Sequence, residues 1–148
     1  MRYHWKLLRA GTFRLDAGSM FGLIPRVVWS RAVPVDDRGR ITVQHNCLLL
    51  ESESPGPEGR PIRVLIETGS GNKMDAKSRD IFALENRSIL TALAEAGTSP
   101  EAIDAVVVTH LHFDHAGGVT RLPREGEEPQ WQDPAAPGHG VVRTFPRA

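Results

Sequence analysis

The sequence predicts an α+β fold in which a mixed sheet carries flanking helices. Three observations lead there: short strands punctuated by glycine and proline through the first half, helical periodicity around residue 90, and an all-apolar run directly after it. The chain has 148 residues, the length of one ordinary domain, and 40% of them are apolar, enough to build a core.

In chain order, strands are expected at Tyr3 to Leu8, Thr12 to Leu15, Val27 to Trp29, Ile41 to Val43, Cys47 to Leu50 and Ile62 to Ile66, where β-branched and aromatic residues lie between turn formers. Asp37-Arg38-Gly39-Arg40 marks an exposed turn, and the Pro/Gly-rich stretch from Glu51 to Pro61 an exposed hairpin loop. Ile89, Leu90, Leu93 and Ala94 recur at three- and four-residue separations and so form one face of a helix, with Gly97 where a C′ glycine ends it. Ser99-Pro100-Glu101 then supplies an N-cap, a proline at the first helical position and an acid in the first turn. This brief turn should lead into Ala105-Val106-Val107-Val108, expected to be a buried strand. Beyond Gly118 the pattern fades: residues 121–140 have no sustained period and are expected to be a surface insertion or disordered, and 141–148 to start another strand.

Eighteen acids balance eighteen bases, so no electrostatic footprint for nucleic acid or an anionic membrane is present. No apolar run is long enough to span a bilayer, and Met1 to Lys6 is not followed by a signal-like apolar stretch, so a cytoplasmic location is expected. Cys47 is the single cysteine, which excludes an intramolecular disulfide; within an apolar strand it is expected to be a small buried hydrophobe.

The chemistry is concentrated in Thr109-His110-Leu111-His112-Phe113-Asp114-His115-Ala116-Gly117-Gly118. A strand ending in His-x-His would place His110 and His112 on one side of the backbone, and the following turn can swing Asp114 and His115 towards the same point. Imidazole and carboxylate donors without thiolate suit zinc, with manganese, iron or cobalt as alternatives. Gly117 and Gly118 let the backbone turn sharply or approach the site without a Cβ clash. His4 and His45 are expected to be ordinary strand or surface histidines, and Trp5, Trp29 and Phe21 core residues in preference to pocket walls.

The pattern H-x-H-x-D-H, matched at His110, His112, Asp114 and His115, resembles the hallmark of the metallo-β-lactamase fold hydrolases. The resemblance implies a four-layer αβ/βα sandwich of which this chain is the N-terminal half, with a family-like core at 1–120, a loop or insertion at 121–140 and the start of the next strand at 141–148. It also implies that His110 and His112 hold one metal and that Asp114 and His115 hold a second, with two zinc ions in a complete site and Asp114 handling protons. A metal-bound hydroxide then attacks a small-molecule lactone or similar ester. Val64-Leu65-Ile66-Glu67-Thr68-Gly69 resembles the family's apolar-D-T-G segment, with Glu67 in the place of the acid, which implies a role in orienting a ligand histidine; the alternative is an acid that caps its own turn. Asn46 to Leu50 resembles the family's early core strand. Asp16 to Gly22 with Pro25 and Trp29, and Arg79 to Phe82, resemble the branch of quorum-quenching lactonases that open acyl-homoserine lactones.

In relatives a third metal histidine, a bridging aspartate and a final histidine come from the second half, so the isolated chain is expected to be inactive and to self-associate through an uncovered sheet face. Pro137-Gly138-His139 superficially resembles the segment of that third histidine, but it follows His115 too closely, and His139 is not taken as a ligand. Rival readings are a mono-iron persulfide-oxidising relative, a nuclease, to which the neutral charge lends no electrostatic footprint, and a non-catalytic remnant that binds metal weakly. The presence of His112, where di-iron flavoprotein relatives carry Glu, weighs against redox chemistry.

Overall fold

In the computed structural model the described residues are 2–132 and 140–148. Strand β1 (Tyr3–Asp16) pairs antiparallel with β2 (Arg40–Pro55), β2 pairs antiparallel with β3 (Pro61–Ile66), and β3 pairs parallel with β4 (Ala105–Val107), in the order β1-β2-β3-β4. The sheet is mixed and the fold α+β, as the sequence predicts. The helices are α1 (Ala17–Phe21), α2 (Arg26–Trp29), α3 (Ala76–Ile81), α4 (Ile89–Glu95) and α5 (Phe113–Ala116).

Four expected strands are in fact two. Tyr3 to Leu8 and Thr12 to Leu15 are joined through a bulge in which Ala10 and Gly11 together oppose His45, with Gly11 at φ 123. The bulge reverses the facing of the strand: Leu8 and Ala10 point inward before it, Phe13 after it. Ile41 to Val43 and Cys47 to Leu50 are continuous because His45, although polar, keeps the inward row running through Ile41, His45, Cys47 and Leu49. β2 also runs on to Pro55, so the expected eleven-residue loop reduces to a tight turn closed by Gly59 N–H donating to the Gly56 carbonyl at 3.0 Å.

Val27 to Trp29, expected as a strand, is the helical turn α2. Pro25 starts it, its carbonyl accepting the Val28 N–H at 2.9 Å, and Trp29 is then buried against Ala17 and Ile41 with its ring stacked on Phe21 at 5.0 Å. The local proline and the burial of one indole override the β preference of two valines.

α4 forms where the periodicity puts it, and its C′ residue Gly97 lies at φ 76, a conformation that favours glycine. Pro100–Ala102 is a single 3-10 turn leading into β4. Ile89, Ala92 and Leu93 of α4 pack on Leu8, Cys47, Leu49 and Leu65 of the sheet, with Ile103 and Phe145 closing the cluster. The opposite face of the sheet is uncovered: Trp5 is 70% exposed, Leu7 48% and Val107 49%. β4 is therefore a half-exposed edge strand, contrary to the expected buried one, because among the described residues no strand pairs beyond it.

Around the stretch expected to be a surface insertion or disordered, the described residues form short strands. Thr120–Arg121 (β5) and Trp131–Gln132 (β6) both pair with Gly140–Arg143 (β7). His139 lies outside the described residues. No helix among the described residues is long and apolar enough to cross a membrane.

Candidate metal centre

The backbone leaves β4 at Val107, so His110 and His112 stand in the loop after the strand rather than on it. Asp114 and His115 follow in α5, whose N-cap is His112; the His112 carbonyl accepts the N–H groups of His115 at 3.0 Å and Ala116 at 2.9 Å. A loop and one helical turn, not strand alternation, thus gather the four residues. The His110 ring lies 4.6 Å from that of His112 and 4.0 Å from that of His115, and His115 Nε2 is 3.5 Å from Asp114 Oδ2.

The segment after β3 holds this loop from behind. Thr68 donates its N–H and its hydroxyl to the His115 carbonyl, at 2.9 and 2.8 Å, and Gly118 N–H donates to the Gly69 carbonyl at 3.0 Å. Such contact requires Gly117 and Gly118, because a Cβ on either would come within 2.4 Å of a backbone oxygen, that of Ser70 or Thr68. Close approach, not a sharp turn, is what the glycine pair provides: Gly117 has helical φ, −58°.

Glu67 adopts φ 67, a left-handed conformation that costs a non-glycine residue about 1–3 kcal/mol. What holds it there is the motif, not its own turn: Oε1 accepts the Thr109 N–H at 2.9 Å, and Oε2 lies 3.0 Å from His115 Nδ1. That second contact is out of line for a hydrogen bond, and both atoms are buried with no other partner. Burial pushes the Glu67 carboxyl pKa up, but the bonds from Thr109 and the nearby His115 outweigh it and hold it below the ordinary value. With Nδ1 facing Glu67, the nitrogen that His115 presents beside Asp114 is Nε2.

Three imidazoles and a carboxylate, one imidazole backed by a buried acid, are a donor set that fits a metal with nitrogen and oxygen ligands. Among the described residues, no three His, Cys, Asp or Glu side chains already converge at metal-holding geometry. The donors are assembled as neighbours without forming a closed coordination sphere.

The motif, with its own Phe113, opens on a cleft of about 700 Å³ whose other wall is largely apolar, built from Phe13, Leu15, Met20 and Val43, with Gln44, His45 and Asn46 also lining it. Among the described residues no lysine or arginine lines it. Sequence reasoning did not find this wall. Alternation along β2 could have placed Val43 and His45 on one face, but the bulge in β1 hides Phe13 and Leu15 from any simple count. Phe13 stacks on His45 at 4.3 Å and meets Phe113 edge-on at 5.9 Å, and Phe113 in turn touches Phe82 at 4.7 Å, which ties the motif loop to α3. Cys47 is 1% exposed, and burial raises its thiol pKa to about 12, as suits a packing residue. His4 is exposed, and so is Trp5, which belongs neither to the core nor to the cleft.

Comparison with known proteins agrees with this arrangement. Exodeoxyribonuclease WalJ of Streptococcus pneumoniae serotype 2 (strain D39 / NCTC 7466) is 31% identical over 80 residues, 47% of this chain and 30% of that protein. The crystal structure of a probable metal-dependent hydrolase from Staphylococcus aureus superposes with a TM-score of 0.71 at 29% identity, covering 82% of this chain and 43% of the other. AidC, a dizinc quorum-quenching lactonase, shares the fold with a TM-score of 0.60 at 21% identity, covering 99% of this chain and 40% of its own. The chain spans less than half the length of each of these proteins. The model of the metallo-beta-lactamase superfamily matches residues 40–140, the stretch that holds Glu67 and the whole histidine motif, and the chain belongs to that superfamily.

Proposed function

We propose that this chain carries the first half of a two-metal hydrolytic centre that acts on the carbonyl of a small lactone or similar ester. The observation that supports it best is the meeting of the motif with an apolar cleft free of cationic side chains. His110 and His112 would hold one ion, Asp114 and His115 the other, with zinc the favoured metal. When bound, such ions bring the pKa of water towards neutrality and polarise a carbonyl. The chain's own residues orient and enclose: Glu67 aligns the His115 ring, Asp114 Oδ2 is placed to hold a proton during turnover, and Phe13, Leu15 and Val43 keep bulk water from the reacting carbonyl.

A nuclease activity, suggested by the similarity to an exodeoxyribonuclease, would need cationic groups along the path of a phosphate backbone, and the cleft lining offers none. The deciding assay compares ring opening of N-hexanoyl-homoserine lactone with digestion of linear DNA by the longest gene product carrying these residues. Lactone turnover is expected; DNA digestion without it would overturn the reading.

Three expectations attach to this proposal. The 148-residue chain supplies two donors to each ion, so calorimetry should show zinc binding far more weakly than in a closed site of four ligands, and a monomer that keeps two zinc ions through dialysis would contradict it. Glu67→Gln should leave the circular dichroism unchanged while lowering metal affinity or turnover roughly 10- to 100-fold, the usual result of losing an outer partner of a ligand histidine. The uncovered face with Trp5, Leu7 and Val107 should drive self-association, seen by sedimentation and relieved by Trp5→Lys with Leu7→Lys; unchanged sedimentation would show that this face is not responsible.

A further inference from the structure

His45 lines the same cleft as the metal motif and is 6% exposed, yet none of the roles given above uses it. Its ring is held on two sides. Phe13 stacks on it at 4.3 Å with planes 3° apart, and its Nε2 is 2.9 Å from the hydroxyl of Ser70, itself 5% exposed.

The hydroxyl decides the tautomer. Ser70 Oγ has one hydrogen-bond partner among the described residues, His45 Nε2. If Nε2 carried the proton and donated it, the buried Ser70 O–H would be left with no acceptor, which is the costlier arrangement. The hydroxyl therefore donates to Nε2, and the ring proton sits on Nδ1. Nδ1 has no hydrogen-bond partner among the described residues and is not one of the polar atoms sealed in the interior without one; with Nε2 turned to Ser70, it is the ring nitrogen left for the cleft that His45 lines. Burial draws the pKa of His45 below its ordinary value, more strongly than Asp114 raises it, and the ring is neutral at pH 7.

We propose that His45 is a specificity-determining residue, locked by Ser70 as the Nδ1–H tautomer and presenting one neutral hydrogen-bond donor to a carbonyl oxygen of the molecule in the cleft. A neutral donor stacked on an aromatic ring matches an uncharged ester, lactone or amide oxygen better than a phosphate or carboxylate, which would call for the cation this wall lacks. The proposal rests on the hydrolase reading and narrows its substrate to one with a carbonyl acceptor within reach of His45.

The test is nitrogen-15 NMR of histidine-labelled protein without metal, titrated with N-hexanoyl-homoserine lactone. The His45 signals should show a protonated Nδ1 and an acceptor Nε2, and Ser70→Ala should abolish that bias. Lactone should shift the Nδ1 resonance, and His45→Phe, which keeps the aromatic stack, should weaken lactone binding roughly 3- to 10-fold, the worth of one neutral hydrogen bond. A proton on Nε2, or an Nδ1 signal unmoved by millimolar lactone, overturns the proposal. A shift in Nδ1, with no lactone ring opened by the longest gene product carrying these residues when loaded with zinc, would leave the His45 site standing and remove the hydrolase reading instead.

Discussion

His110→Ala and His112→Ala should each empty the first metal position, and Asp114→Asn should impair the second together with proton handling, while the fold survives all three. The asymmetry follows from where these side chains sit. His110 and His112 are exposed, lie in a loop beyond the end of β4 and are not members of the core cluster. Exposed positions of this kind cost within about 0.5 kcal/mol of stability when changed. A direct ligand, by contrast, contributes more to metal affinity than an outer partner does, and losing an outer partner already costs roughly 10- to 100-fold. Each histidine variant should therefore lose more than about 100-fold in metal affinity, with turnover following. Asp114→Asn preserves shape and removes charge, so its loss isolates electrostatics from packing. Metal content by elemental analysis, lactone turnover and circular dichroism on the three variants decide the matter. If all three keep wild-type metal content and turnover, the ligand assignment is wrong.

The second large effect is expected at a residue with no functional group. In Gly118→Ala the new methyl would sit 2.4 Å from the Thr68 carbonyl oxygen and 3.2 Å from Ile89 Cγ2, and neither can yield easily. Thr68 is wholly buried with its N–H and hydroxyl both bound to the His115 carbonyl, and Ile89 belongs to the core. The alternative to a clash is separation of the Glu67–Ser70 segment from the motif loop, which breaks those bonds and the Glu67 contact to His115. Overpacking of this kind costs about 3 kcal/mol or more, and the melting temperature should fall by roughly 10 °C. Gly39→Ala makes the control. Its φ of 76 strains an alanine, as the backbone of Gly118 does not, but nothing lies within 4 Å of the added methyl, so only the conformational cost of about 1 kcal/mol should appear. A Gly118→Ala protein that melts within two or three degrees of the wild type would refute the close-approach explanation.

Much of this protein is legible from its residues in order. The helix of Ile89 to Glu95, its terminating Gly97 and the strand that follows are local matters, decided by periodicity, capping and propensity within a dozen residues. The candidate quartet is legible for the same reason: four potential donors within six positions must lie close together whatever the backbone does between them. The resemblance of the Glu67 segment to a known motif pointed to the right neighbourhood, although not to the atoms that hold it, since the Thr109 N–H and His115 Nδ1 are more than forty positions away in the chain.

What only the tertiary structure decided depends on contacts between distant segments. The valines of α2 were free to be a strand until Trp29 found Phe21 and Ile41 to bury against. The polar run Gln44-His45-Asn46 would end a strand considered alone; inside the sheet, pairing with β1 carries it through. A single bulge at Ala10 and Gly11 then moves the inward row of β1 by one position, bringing Phe13 to face His45, and no alternation rule can anticipate a register shift that exists only in the paired state. The motif residues were determined by the sequence. The apolar wall opposite them, and the buried histidine within it, came from register and packing, because a pocket is made by surfaces that meet only after the chain has folded.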